Sequence, residues 1–183
     1  MRYIALLRGI NVGGNTMIKM ADLKGVFERC GFSNVATYIN SGNVAFDGGQ
    51  HVGTGSYGSI EGEMATRIEK AIEAQFAKTI PVIFREQPDL RRIIEGNPYA
   101  GQFESHKEMH VLFLKEEMST ENREQLLAAA PEGERFAVVG REIYCHLPMG
   151  VADSLLGKSF IEKKLKLAVT GRNWRTVDKL SHL

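Results

Sequence analysis

Apolar residues recur along this chain in two patterns, which predict strands and helices in alternation. Residues 3–7 (YIALL) and 109–114 (MHVLFL) are near-continuous apolar runs, as expected of central strands that are buried on both faces. After the first run, Met20, Leu23 and Phe27 stand at helical spacing. After the second, Ser119 is a candidate cap for another helix. Both halves of the chain therefore begin with a buried strand and then a helix.

The remaining segments complete the same order of elements in each half. Strands are predicted at residues 3–7, 35–39, 44–46, 80–85, 109–114, 135–139, 142–147 and 166–170. Helices are predicted at residues 20–30, across 64–76, at 88–95, after Ser119, at 158–166 and at 173–181. The pattern is βαββαβ, a linker helix, a second βαββαβ and a terminal helix. It predicts an α+β fold with two ferredoxin-like subdomains, at residues 1–86 and 109–183, joined by a linker at 87–108.

Glycine marks the turns and one long connection. Residues 40–43 (NSGN) and the Gly140-Arg141 pair are predicted hairpin turns, because glycine accepts the positive φ that such turns require. Residues 48–62 contain six glycines. Ordering such a segment costs much backbone entropy, so the composition predicts a mobile loop.

Several segments resemble the DUF1697 family of uncharacterised bacterial proteins. They are LLRGINVGG at 6–14 with the following Lys19-Met20, TYINSGNVAF at 37–46, GREIYCHLP at 140–148 and TGRNWRTVDKL at 170–180. The resemblance spans nearly the whole chain. It implies two intertwined ferredoxin-like subdomains, and it implies no established activity.

Charge is unevenly distributed although the formal net charge is only +1. Residues 158–183 carry a net charge of +5 and residues 1–24 a net charge of +3. The two basic ends could form one patch. The alternative is that their lysines only lie on solvent-exposed faces of helices. The sequence shows no signal-peptide pattern and no apolar stretch near the roughly 18 residues of a spanning helix, so a cytoplasmic protein without a membrane partner is predicted. Cys30 and Cys145 are predicted to be buried free thiols.

The glycine-rich connection after the first strand is the main candidate for a binding site. Gly13 and Gly14 can let several backbone N–H groups converge near a helix N-terminus, which makes an anion-binding concavity. Arg8 and Lys19 flank the connection and would add positive charge, and Asn11 adds a polar side chain. The competing interpretation is a tight turn in which glycine is needed only for its backbone conformation.

Polar residues at other turns are further candidates for ligand binding. Ser41 and Asn43 lie in the first predicted hairpin, and Arg141 lies at the tip of the second. Arg172 and Asn173 precede Trp174 in an unusual triplet, in which Asn173 could also cap the last helix. Turn chemistry, solvation and capping are the structural alternatives for these residues.

Several motifs associated with other chemistry fail. Gly157-Lys158-Ser159 ends like a phosphate-binding loop, but the motif needs glycine at position 152, which is Ala152. The first connection is not GxGxxG, so the dinucleotide fingerprint is absent. The five histidines show no metal-binding spacing, and no nucleophile–base pair is evident. The sequence therefore gives no reason to expect a metal or another cofactor.

Three classes of function stay open, and the sequence leaves the oligomeric state undecided. The first is a binding module for a phosphate-bearing ligand, either a nucleotide or single-stranded nucleic acid. The second is an enzyme for a small anionic substrate, in which Tyr144 or His146 would transfer protons. The third is a protein-interaction module, because the edge strands of such sheets can accept partners.

Overall fold

The computed structural model describes residues 1–14, 16–48 and 57–183, with side chains omitted at 57–59. The described chain divides into two compact units. Unit 1 comprises residues 1–89 together with 180–183, and unit 2 comprises residues 90–179. The division falls inside one helix, so the predicted subdomain and linker limits stay predictions.

Unit 1 contains a four-stranded antiparallel sheet in the order β2-β3-β1-β4. Its elements are β1 (Arg2–Leu7), α1 (Met20–Arg29), β2 (Ser33–Tyr38), β3 (Asn43–Asp47), α2 (Tyr57–Phe76) and β4 (Val82–Glu86). This is the strand order of a ferredoxin-like fold. Helix α3 (Gln87–Glu95) follows and carries the chain into unit 2.

Unit 2 repeats the arrangement with a four-stranded antiparallel sheet in the order β6-β7-β5-β8. Its elements are β5 (Met109–Leu114), α4 (Thr120–Ala129), β6 (Arg135–Val139), β7 (Glu142–His146), α5 (Phe160–Lys163), β8 (Val169–Asn173) and α6 (Trp174–Leu180). The α+β class, the two similar halves and the C-terminal helix are as predicted.

The predictions at 158–166 and 166–170 are wrong in extent. Helix α5 covers only Phe160–Lys163. Left-handed Ser159, with a φ of 56°, prevents an earlier start, and left-handed Lys166, with a φ of 57°, prevents a helix that continues to residue 166. Strand β8 begins at Val169 and continues to Asn173, three residues later than predicted. Neither left-handed residue is a glycine, so the residue types give no signal of the break.

The predicted loop at 48–62 is wrong in its last part. Helix α2 already begins at Tyr57, so Gly58 and Gly62 are helical. Residues 49–56 of that prediction lie outside the described residues. A glycine inside a helix costs only about 1 kcal/mol relative to alanine, which the rest of a 20-residue helix can offset.

Both central strands are buried on both faces, as predicted. On one face of β1, Tyr3, Ala5 and Leu7 belong to the core cluster that also includes residues of α1 and α2. On the other face, Ile4 and Leu6 are fully buried as well. In unit 2, Val111 and Phe113 on one face of β5 and Leu112 and Leu114 on the other are likewise buried.

The two sheets share details that the residue types do not reveal. The backbone N–H of Leu7 donates to the carbonyl of Gly42 at 2.8 Å, and that of Leu114 donates to the carbonyl of Arg141 at 2.9 Å. Each sheet also carries a buried arginine at the matching position of its last strand, where Arg85 lies opposite Ile4 and Arg172 opposite Val111. The architectural repeat thus extends to individual residues.

Two smaller findings concern the described helices and the two cysteines. No helix there is long and apolar enough to span a bilayer. Cys30 and Cys145 are both buried and free, as predicted. Burial raises the pKa of the Cys145 thiol, which keeps it protonated and unreactive.

Candidate functional site

The connection between β1 and α1, described at residues 8–14 and 16–19, is hereafter the glycine loop. Its backbone turns into the left-handed region at Gly9, Asn11, Gly13, Gly14 and Thr16, with φ between 50° and 77°. Residues 12–14 are exposed, while the N–H of Asn11 donates to the carbonyl of Thr16 at 3.1 Å and closes the base of the loop. The loop is therefore a tight turn that projects its glycines outward.

The side chain of Asn11 fixes the loop to its surroundings. Its Nδ2 donates to the carbonyl oxygens of Ile18 at 2.9 Å and Asn40 at 2.7 Å, and its Oδ1 accepts from the N–H of Ile18 at 2.7 Å. Asn11 itself has a φ of 55°, a conformation that asparagine tolerates better than most residues. These bonds join the glycine loop to the β2–β3 turn. The predicted candidates Asn11, Ser41 and Asn43 thus lie in neighbouring turns.

Two predicted polar residues of the β2–β3 turn have local structural partners. Asn43 is fully buried, and its Nδ2 donates to the carbonyl of Tyr38 at 3.1 Å and to Ser41 Oγ at 2.9 Å. Gly42 has a φ of 77°, and a Cβ there would lie only 2.7 Å from Leu7 Cβ. Asn43 therefore supports the turn from inside, while half-buried Ser41 lies nearer the surface.

The charged candidates Arg8 and Lys19 lie at the two ends of the glycine loop. Arg8 is half-buried and follows β1, and its N–H donates to the carbonyl of Pro81 at 3.1 Å. Lys19 is exposed and immediately precedes α1. The positive end of a helix dipole and a lysine at the same place both favour an anion.

The other predicted binding residues belong to unit 2. The carbonyl of Arg141 holds Leu114, and the Nη1 of buried Arg172 donates to Thr170 Oγ1 and the Gly171 carbonyl, both at 2.8 Å. Burial lowers the pKa of Arg172 to about 10, which leaves it charged at neutral pH. Asn173 Oδ1 accepts from the N–H of Thr176 at 2.9 Å, which is the helix cap that its position suggested.

The family model described as a protein of unknown function (DUF1697) matches residues 1–144. The chain belongs to the DUF1697 family. The matched span includes the glycine loop and the β2–β3 turn, whereas Arg172 and Asn173 lie beyond it. No curated protein matches this sequence.

A solved structure is similar to this DUF1697 chain over nearly its full length. It is that of the conserved bacterial protein SP0830 from Streptococcus pneumoniae, with a TM-score of 0.74 and 22% sequence identity. The similarity covers 98% of this chain and 96% of that one. At this level of identity it establishes the fold alone.

Gly157 has a packing role in this DUF1697 chain. A Cβ at Gly157 would lie 2.2 Å from the carbonyl oxygen of Ala152 and 2.4 Å from that of Val151. The hydroxyl of Ser154 donates to the Val151 carbonyl at 2.6 Å and accepts from the N–H of Gly157 at 3.2 Å. The segment before α5 is therefore a compact turn in which only glycine fits at position 157.

Sequence reasoning missed three exposed apolar residues around the glycine loop. Val12, Met17 and Ile39 expose 64%, 72% and 50% of their surface. We call this set the aliphatic patch. Val12 adjoins Asn11 in the chain, Met17 adjoins Ile18, and Ile39 adjoins Asn40. The Asn11 side chain hydrogen-bonds to both Ile18 and Asn40. A signal was present in the sequence, because aliphatic residues are unusual inside a glycine- and asparagine-rich turn.

The residues considered for proton transfer are engaged in structural contacts. The buried Tyr144 hydroxyl donates to the carbonyl of Ile93 at 2.8 Å, and burial raises the pKa of Tyr144 to about 12. His146 Nδ1 lies 2.9 Å from Nη2 of Arg135, and its Nε2 lies 3.7 Å from Glu108 Oε2. The Arg135 guanidinium also stacks over the Tyr99 ring at 4.7 Å. Tyr144 and His146 thus help to attach the segment before β5 to the sheet of unit 2.

Metal binding has no counterpart in the part of the chain that the structure describes. No cluster there brings together three or more histidine, cysteine, aspartate or glutamate side chains that could hold an ion. The site candidates are therefore the glycine loop and its neighbouring turn.

His110 should make unit 2 sensitive to acid. Burial, and then the neighbouring His106, lower the pKa of His110 in the folded state. The unfolded chain then binds more protons below the ordinary value of 6.5, so the free energy of unfolding falls as pH drops from 6.5 toward the lowered pKa. We expect urea unfolding between pH 7.5 and 5 to show a weaker pH dependence in His110→Gln than in the wild type.

The control for this measurement is the exposed His182. His182→Gln should retain the full acid sensitivity of the wild type. Parallel pH profiles for wild type and His110→Gln would show that other groups cause the acid sensitivity.

Proposed function

We propose that this DUF1697 chain binds an anionic, phosphate-bearing ligand, a nucleotide or a segment of single-stranded nucleic acid, at the glycine loop. The observation that carries the proposal is the exposed left-handed turn at Gly13 and Gly14, with φ values of 61° and 77°. Backbone amides in such turns form concavities that accept anionic oxygens. The Asn11 hydrogen bonds fix the segment just before this turn to Ile18 and Asn40.

Charge around the loop favours the same class of ligand. Arg8 and Lys19 lie at its two ends, before and after the exposed glycines. The first 24 residues carry a net charge of +3 in a chain whose total is only +1. A phosphate at the loop would therefore meet both partial positive charge from backbone amides and full charge from side chains.

The test is a titration of ¹⁵N-labelled protein with inorganic pyrophosphate, at low and at high ionic strength. We expect saturable changes in the amide signals of Gly9, Gly13 and Gly14, weakened by added salt because each contact with a phosphate releases a counterion. Lys19→Gln should weaken binding about tenfold, the effect of losing one charged hydrogen bond.

A matched control separates a specific site from general attraction. Lys24→Gln removes the same charge from an exposed lysine that pairs with Glu28 at 3.7 Å. It should change the affinity less than twofold, as expected for a screened charge outside the site. Equal losses from both substitutions, or no change at the loop glycines at low ionic strength, would contradict the proposal.

A further inference from the structure

The aliphatic patch has a cost that the fold does not explain. Ile39 has a φ of 46°, and for a β-branched side chain the left-handed region is a true outlier. Its side chain is half exposed, so burial does not repay this strain. Asparagine or glycine would suit the backbone of this turn better. Strained backbone of this kind clusters at ligand-binding sites, so an aliphatic residue at this position favours contact with a ligand.

The patch and Lys19 are held in one local framework. Asn11 hydrogen-bonds to Ile18 and Asn40, which are the chain neighbours of Met17 and Ile39. Lys19 also follows Ile18 directly. Consecutive Cα atoms are about 3.8 Å apart, so apolar surface and positive charge occur within a few residue lengths of the Asn11 amide.

The patch also has an amide at its edge. Asn40 adjoins Ile39, its side chain is exposed, and its carbonyl is fixed by the Asn11 side chain. An asparagine amide can both donate to and accept from the edge of a base, most completely at adenine. A flat ring with a polar edge therefore matches this surface better than a plain hydrocarbon chain, which offers no partner for the amide.

We infer that the ligand of the glycine loop carries a nucleobase, which packs on Val12, Met17 and Ile39 while its phosphate binds between Arg8 and Lys19. The inference rests on the proposed function and deepens it, because it assigns the base of that ligand to a named surface, the aliphatic patch. Free nucleotides and residues of single-stranded nucleic acid share this chemistry.

The experiment compares pyrophosphate with adenosine diphosphate by NMR titration, in the wild type and in Ile39→Asn and Met17→Ser. We expect the nucleotide to bind the wild type at least tenfold more tightly than pyrophosphate, with changes at the Met17 and Ile39 methyl signals. Each substitution should lower nucleotide affinity about fivefold and leave pyrophosphate affinity unchanged. Ile39→Asn should also preserve or raise the melting temperature, because asparagine relieves the backbone strain.

Met149→Ser is the matched control. Met149 is a methionine of unit 2 with 92% of its surface exposed, and its replacement should change neither affinity. A hexameric oligoadenylate distinguishes the two sources of the ligand. Much tighter binding of the hexamer than of adenosine diphosphate identifies a single strand, and binding of the hexamer no tighter than that of adenosine diphosphate identifies a free nucleotide.

Other results would overturn the inference in distinguishable ways. If pyrophosphate and the nucleotide bound equally well, and Ile39→Asn did not change either affinity, the phosphate site would stand and the inferred contact between the base and the aliphatic patch would be refuted. Binding of neither compound at the loop would remove the proposed function together with the inference. A change of oligomeric state in Met17→Ser, without a change in affinity, would make the patch a surface for protein contact.

Discussion

Phe46→Ala should destabilise the protein by about 3–5 kcal/mol, the largest effect that we expect from a single core substitution. Phe46 is fully buried on β3 and lies among four other rings. Its ring centroid is 4.6 Å from that of Phe32, 5.2 Å from Phe27, 5.8 Å from Tyr3 and 5.9 Å from Phe84. Truncation removes the buried area and the ring contacts together, and leaves a cavity that the rigid sheet cannot close.

Urea unfolding followed by circular dichroism measures this loss, and the melting temperature should fall by about 10 °C. Phe76→Ala is the control, because Phe76 is only half-buried at the end of α2. It should cost about 1–2 kcal/mol, since less surface leaves water. A loss below about 1 kcal/mol for Phe46→Ala would mean that the surrounding rings collapse into the space.

Gly42→Ala should destabilise the protein by about 3 kcal/mol, although it adds a single methyl group. The left-handed backbone at Gly42 costs an alanine about 1–2 kcal/mol. The new Cβ would also lie 2.7 Å from Leu7 Cβ and 2.9 Å from Ile10 Cδ1. Such overpacking adds about 1–3 kcal/mol. Gly42 also anchors β1, because its carbonyl accepts a hydrogen bond from the N–H of Leu7.

Gly101→Ala separates the two contributions to this loss. Gly101 has a similar φ of 72°, but no atom lies within 4 Å of its would-be Cβ. It should therefore show only the backbone cost of about 1–2 kcal/mol. Similar losses at Gly42 and Gly101 would show that Leu7 and Ile10 can move aside at little cost. Thermal and urea unfolding of the two variants make the comparison.

Most of the fold follows from local patterns because strand burial and helix periodicity are strong signals. The run at 109–114 has the predicted limits in the structure, and the predicted cap at Ser119 accepts from the N–H of Asn122 at 3.2 Å. The limits of α5 could not be predicted from the sequence. The compact turn before this helix depends on contacts of Ser154 and Gly157 with carbonyl groups, and the helical spacing of Phe160, Ile161 and Leu165 gives no sign of them.

The candidate site was predicted only in part. Glycines and flanking charges drew attention to the glycine loop, since those residue types have direct backbone and electrostatic meanings. The bond from Asn11 to Asn40 could not be foreseen, because it joins residues 29 positions apart. The left-handed backbone of Ile39 was also hidden, because isoleucine normally indicates an extended strand.

The matched backbone bonds and buried arginines of the two sheets have a consequence for how such a protein can diversify. After the first strand, unit 1 carries the basic residues 8–19, whereas unit 2 has only residues 115–119, which include Glu116 and Glu117. Two copies of one architecture in a single chain allow the connection to be long and basic in one copy while it stays short in the other. The connection after β5 thus serves as an internal comparison for the glycine loop after β1, within one chain and one architecture.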